Sequence, residues 1–146
     1  MKFKLIVDKS KEEEVVVTAH EPSAFTQRIE SMVLEYSGGH EITAYREDTL
    51  IRLRFDRIEC ITVIEGKTYA IADGSQYRLK QRLYELETIV PSSFIRINKS
   101  TLANEARLER FVATYSGGVN ARFVSGYEEY VSRRCFAAIK RRYNVK

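Results

Sequence analysis

Residues 94 to 104 read Phe94-Ile95-Arg96-Ile97-Asn98-Lys99-Ser100-Thr101-Leu102-Ala103-Asn104. The first half alternates as a strand leaving a core does, and the hydrophobicity then stops at Asn98-Lys99-Ser100-Thr101 before resuming at Leu102 and Ala103. Four consecutive donor-bearing side chains with no acid among them, between two segments expected to be buried, make a rigidly held polar tip that suits an anionic partner. The same stretch fits a second reading equally well, a surface turn whose hydroxyls and amide cap the backbone.

Upstream of this tip the pattern is dense in strands. Leu50 to Arg54, Ile58 to Ile64, Thr68 to Ile71 and Gln76 to Leu79 are short β-prone runs, separated by Glu65-Gly66-Lys67 and by the strong hairpin signal Asp73-Gly74. Four strands joined by tight turns predict a meander. A helix is then predicted with Leu79, Leu83, Leu86 and Ile89 on one face and Arg78, Lys80, Arg82 and Glu85 on the other, ending before Pro91. Its role reads as structural, since an exposed charged face is what any surface helix carries. Downstream, Leu108 to Tyr115, Val119 to Val124 and Tyr127 to Val131 read as the last strands of an antiparallel sheet, and Ser132 is a good N-cap for a helix with Cys135, Phe136 and Ile139 facing inward.

Residues 1 to 45 read as strand, helix and strand. Lys2 to Val7 alternates, Val15 to Val17 offers a second short strand after Glu12 to Glu14, and Ile42 to Arg46 returns to strand. Between them Pro22 opens a helix, on which Phe25, Ile29, Met32 or Val33, and Tyr36 recur at helical spacing until Ser37-Gly38-Gly39. This segment is too small to bury a core alone, so it should pack on the later residues or on a second copy of itself. The expected division is 1–45, for dimerisation or regulation, and 46–146.

At 146 residues, 44% hydrophobic and 30% charged, the composition is that of an ordinary soluble globular protein. No apolar run approaches the ~20 residues of a membrane span, and no secretory segment opens the sequence, so a cytoplasmic location is expected. Cys60 and Cys135 lack a CxxC partner and read as free thiols; His20 and His40 lack ligands at metal spacing, and nothing asks for a cofactor. There is no Ser-His-Asp order, no glycine-rich phosphate cradle and no carboxylate pair in an apolar setting, which argues against an enzyme with a small-molecule substrate. Charge is unevenly spread: residues 1–45 hold five Lys/Arg against eight Asp/Glu, a net of −3, whereas 46–146 hold nineteen against twelve, a net of +7. A polyanion would therefore be held by the later residues.

The last helix adds a sharper signal. Arg133 and Arg134 fall in its first turn, where the positive end of the macrodipole disfavours cations by a few tenths to ~1 kcal/mol each. An anion accepted jointly by the arginines and the free N–H groups would account for them; so would an arginine covering Tyr130 or pairing with Glu128 or Glu129.

From about Asp48 to Tyr143 the sequence resembles the LytTR family of DNA-binding domains. The likeness rests on Phe94, Arg96, Ser100 and Asn104 in the spacing Phe-x-Arg-x-x-x-Ser-x-x-x-Asn, on Val131-Ser132-Arg133-Arg134 before a basic helix, and on Arg57-Ile58-Glu59-Cys60. The resemblance implies a bacterial transcription regulator with a mainly β (α+β) fold of small antiparallel sheets stacked lengthwise. Loops rather than a recognition helix would enter successive major grooves of double-stranded DNA and bend it, with a dimer on direct repeats. The contacts it implies are the tip bearing Lys67, the tip Asn98-Lys99-Ser100, and the turn at Arg133-Arg134. Arginine suits guanine and asparagine suits adenine, while Lys99 and Ser100 suit the backbone. Many members carry histidine where Asn98 stands, and the first loop offers glycine where some place a base reader, so sequence preference would differ.

The short segment in place of a receiver domain is similar to stand-alone LytTR regulators, which are often encoded beside a small membrane protein, implied here as a restraining partner. The competing class is a protein-interaction module, such as an antagonist, that keeps the fold without specific DNA binding. An RNA binder would want exposed aromatics for stacking, for which Tyr69, Tyr77 and Tyr127 are the candidates.

Overall fold

Two-residue turns with positive φ at both positions set the centre of the larger sheet. In the computed structural model, which describes residues 1–37 and 40–143, Glu65 and Gly66 have φ of 51° and 77°, and Asp73 and Gly74 have 52° and 77°. This geometry matches the twist of the strands it joins, and glycine adopts it without the steric cost of a Cβ. The result is a meander of β3 (Cys60–Ile64), β4 (Lys67–Ala72) and β5 (Ser75–Leu79).

The expected four-stranded meander is three-stranded. β2 (Thr49–Arg54) instead forms a hairpin with β1 (Glu41–Arg46), and β1 pairs with β5. The reason is local: Phe55–Arg57 form a 3-10 turn that redirects the backbone between β2 and β3. β6 (Phe94–Asn98) and β7 (Thr101–Asn104) complete a seven-stranded antiparallel sheet in the order β2-β1-β5-β4-β3-β7-β6. β8 (Leu108–Ala113), β9 (Val119–Phe123) and β10 (Glu128–Val131) make a separate three-stranded antiparallel sheet.

The central strands are covered on both faces, so successive residues of β3 such as Cys60 and Ile61 are both buried rather than alternating between core and solvent. Ile61, Ala70 and Leu102 point into one core with Phe55, Leu83, Leu86 and Phe94. Their neighbours Cys60, Ile71 and Ala103 point into the other, with Ala121, Phe123, Val131 and Ile139 from the small sheet and the last helix.

The helix α2 is one turn, Leu83–Leu86, not the longer helix expected from Leu79. The ladder started by the Asp73-Gly74 hairpin continues to the pair Thr68↔Leu79, so Arg78 and Leu79 are strand residues and the helix begins only after Gln81. The other expected helices are present as α1 (Ala24–Ser37) and α3 (Arg133–Arg142). Pro22 lies before α1 and not in its first turn, and Ser23 caps the helix: its Oγ accepts from the Thr26 N–H at 3.3 Å while the Ser23 N–H donates to Thr26 Oγ1 at 2.8 Å. The Gly38-Gly39 part of its expected stop and the tail, residues 144–146, lie outside the described residues. No described helix is long and apolar enough to cross a membrane.

Residues 2–7 and 15–17 are not strands, against expectation. Their backbones have no ladder partner among the described residues, and Phe3 and Val7 are 92% and 81% exposed. α1 is tied to the rest through Glu30, whose carboxylate accepts from the N–H and hydroxyl of Ser92.

Two buried polar groups join distant segments. Asn104 Nδ2 donates to the Ile58 carbonyl at 2.9 Å, and its Oδ1 accepts from the Ala106 N–H at 3.1 Å. Glu59 accepts from the N–H and hydroxyl of Ser125 at 2.9 and 2.6 Å, tying the turn between β9 and β10 to the larger sheet. Asn104→Ala should therefore lower the unfolding free energy by ~1–3 kcal/mol in urea titration, since both partners lose their bonds in a dry site. Glu59→Gln keeps a single acceptor oxygen and should cost about the same, with faster amide hydrogen exchange at Ser125. An unchanged midpoint in either variant would show that water replaces these bonds without loss.

Candidate nucleic-acid interface

Three loops meet at one end of the larger sheet, and backbone bonds bring them there. β3 pairs with β7 through Cys60↔Ala103, Ile61↔Leu102 and Thr62↔Thr101. One step further, the Val63 N–H donates to the Ser100 carbonyl at 3.0 Å. Because Ile64 pairs with Lys67 across the β3–β4 turn, the tip bearing Lys67 and the tip bearing Lys99 and Ser100 are neighbours. The third loop is attached to β6: the Ser132 N–H donates to the Ile97 carbonyl at 2.9 Å, and Asn98 Nδ2 donates to the Tyr130 carbonyl at 2.6 Å. These bonds carry Arg133 and Arg134, the first residues of α3, to the Lys99 tip.

The polar run at the tip divides between presentation and support. Lys99 is exposed and Ser100 half-buried, but Asn98 and Thr101 are buried. Besides its bond to Tyr130, Asn98 accepts from the Ser100 N–H at 2.8 Å, so its amide shapes the turn and is turned away from solvent. Asn98, expected at the DNA surface with Lys99 and Ser100, thus gives one amide N–H and its oxygen to partners within the protein. The turn-capping reading of this stretch holds at Asn98, while Lys99 stays exposed. Thr101 Oγ1 lies 2.8 Å from Thr62 Oγ1 and 3.3 Å from Glu129 Oε1, and Glu129 also accepts from the Tyr127 hydroxyl at 2.8 Å.

Burial first, then the bond to Glu129, pushes the Tyr127 phenol up, keeping it a donor. Burial likewise pushes the Cys60 thiol well up, reinforced by Glu129 and Glu59. Cys60 is buried and Cys135 half-buried, and both are free. Tyr69, Tyr77 and Tyr127 are each half-buried rather than open stacking platforms.

The motif residues that flank the tip work from beneath it. Arg96 donates to the Lys99 carbonyl at 2.7 Å and pairs with Glu87, while Phe94 packs edge-on against Phe55 with ring centroids 6.0 Å apart. At α3 the expected cap is present, with Ser132 Oγ accepting from the Cys135 N–H at 3.2 Å. Arg133 and Arg134 are exposed, and neither pairs with Glu128 or Glu129: Glu129 is held by Thr101 and Tyr127, and Glu128 faces Asn120.

Among the described residues, the side chains of Lys67, Lys99, Arg133 and Arg134 make no hydrogen bond or ion pair. By contrast Arg52, Arg57, Arg96 and Arg142 pair with Glu41, Asp73, Glu87 and Glu105. Four unpaired cations on adjoining loops form a surface that an anion would complete.

Lys67 also opens onto a groove lined by Arg78, Lys80 and Arg82, with no acidic residue along it. Reading Leu79 to Ile89 as one helix set these cations apart from Lys67. The signal that could have joined them is the Asp73-Gly74 hairpin, whose ladder brings Leu79 opposite Thr68.

Residues 48–144 match the LytTr DNA-binding domain family. An uncharacterized HTH-type transcriptional regulator of Staphylococcus aureus strain MSSA476 is 29% identical over 147 residues, covering 99% of each chain. A similarly described protein of strain MRSA252 is 28% identical with the same coverage. A LytTr DNA-binding domain from Bacillus cereus superposes with a TM-score of 0.63 at 21% identity, over 70% of this chain and 94% of that one. The relatives' HTH label has no helix-turn-helix counterpart among the described residues, where the three helices are separated by strands. With the family pattern matched over residues 48–144 and the same fold found in a solved member, the chain belongs to the LytTR family of DNA-binding domains.

Proposed function

We propose that this protein is a sequence-specific transcription regulator that lays three loops along double-stranded DNA and binds direct repeats as a dimer. The observation that carries the reading is the set of unpaired cations Lys67, Lys99, Arg133 and Arg134 on loops held together by backbone bonds. Loops fixed in this way lose little freedom on binding, so their contacts are not offset by ordering entropy.

The roles follow from side-chain chemistry. Arg134 or Arg133 can give two parallel hydrogen bonds to guanine, while the α3 N–H groups beside them favour a phosphate. Lys99, Ser100 and Lys67 hold the backbone, and the Arg78, Lys80 and Arg82 groove extends the phosphate track. Asn98 acts as a positioning residue. Glu65, exposed beside Lys67, would repel a phosphate and limits how closely that tip approaches. The reading assigns the protein no reaction.

The test is binding to its own promoter fragment against a shuffled duplex, titrated over salt. Arg134→Ala should lower specific affinity by ~1–3 kcal/mol and relax preference at one base position. Lys99→Ala should weaken all sequences alike and reduce the magnitude of the log–log salt slope by about one. Absence of any preference at every salt concentration would instead favour an interaction module that kept the fold without specific DNA binding.

A further inference from the structure

Among the described residues nineteen large hydrophobic side chains are exposed, and twelve of them lie within residues 1–36. Such a concentration marks an interface rather than ordinary surface. Within it, residues 1–23 form neither helix nor strand, yet the backbone reverses at residues 8–11: the Lys11 N–H donates to the Asp8 carbonyl at 3.3 Å, and Asp8 Oδ1 accepts from the N–H and hydroxyl of Ser10 at 3.0 and 2.6 Å.

A turn flanked by β-prone segments ordinarily closes a hairpin, and this one does not. The register explains why. Folding back around residues 8–11 would set Val7 opposite Glu12, Ile6 opposite Glu13 and Leu5 opposite Glu14, an acid against an apolar residue at three successive pairs.

The pattern points to a different partner: we infer that the segment from Lys2 to Val7 pairs antiparallel with the same segment of a second copy, about a two-fold axis through Leu5. In that register Leu5 meets Leu5, Phe3 meets Val7, and Lys2 meets Asp8. Phe3, Leu5 and Val7 from both chains then fill one face, and the ends carry opposite charges. A slip that centres the axis on Lys4 sets lysine against lysine, and one centred on Ile6 sets Phe3 against Lys9. A slip of half that size mixes the two faces. A bare two-stranded ribbon is marginal in water. Val15 and Val17, returned by the turn and both exposed, supply apolar cover from within the same segment.

The inference deepens the dimer in the proposed function. Because residues 8–23 carry no regular structure, the ribbon's two-fold axis does not impose itself on DNA-binding domains set head to tail.

The test uses the full chain with single cysteines introduced in this segment and the unsubstituted chain as control. Under mild oxidation Leu5→Cys should give disulfide-linked pairs, because directly opposed Cβ atoms on the axis come within reach of a disulfide. Phe3→Cys alone should not, whereas Phe3→Cys mixed with Val7→Cys should. By light scattering, Leu5→Lys should shift the mass from two chains to one and abolish cooperative binding to paired half-sites, leaving single half-site binding unchanged.

A Leu5→Lys dimer, equal crosslinking at all three positions, or a single-chain mass for the unsubstituted protein would overturn the inference. Crosslinking in this pattern without any DNA preference would leave the ribbon standing and remove the regulator reading.

Discussion

The pairing of β3 with β7 is the constraint on which the rest depends. It joins residues such as Thr62 and Thr101, 39 apart in sequence, and thereby sets the β3–β4 and β6–β7 tips side by side. Its register is fixed by both cores at once. Ile61 and Leu102 enter one core while Cys60 and Ala103 enter the other, so a slip of one residue would turn each strand's side chains to the wrong face. The buried Thr62–Thr101 contact and the Glu129–Tyr127 bond beside it add a polar chain that closes only in this register. The Ser132 and Asn98 bonds then carry the start of α3 to the same end.

The residues that make the family recognisable are largely those that hold the tip, not those that would touch a ligand. Phe94 packs on Phe55, Arg96 grips the Lys99 carbonyl, and Asn104 holds the carbonyl of Ile58. Each is tied to more than one segment, so few replacements satisfy the geometry. The side chains of Lys99, Arg133 and Arg134 are exposed and, among the described residues, make no hydrogen bond or ion pair. Loop position and loop chemistry are therefore separable in this architecture: buried bonds specify where a loop stands, and exposed side chains decide what it offers.

The two ends of the chain differ in completeness. From Glu41 onward strands have ladders and two cores close around them. Before α1 the backbone has a turn but no ladder, and apolar side chains face water. α1 itself keeps Phe25, Met32 and Tyr36 exposed and is tethered through Glu30 to Ser92. Hydrophobic burial is the main favourable term in folding, so a segment that leaves this much apolar surface open is poised for association.

Local signals in the sequence determined a good deal. The hairpins at Glu65-Gly66 and Asp73-Gly74, the Ser132 cap, the inward side of α3 and the strand–tip–strand shape of residues 94–104 all follow from turn chemistry and periodicity spanning a few residues. The same local logic misled where a longer-range partner decides the outcome. The segment from Lys2 to Val7 alternates like a strand but finds no ladder among the described residues, and Leu79 keeps a helical spacing with Leu83 and Leu86 but is captured by the β5 ladder. Only the tertiary structure decided which tip residues are exposed, that Asn98 and Thr101 turn inward while Lys99 turns out, and that Lys67, Lys99 and the arginine pair share one end. Those outcomes depend on hydrogen bonds between residues up to dozens of positions apart, such as Asn98 to Tyr130, and a residue's own neighbours in sequence carry no trace of them.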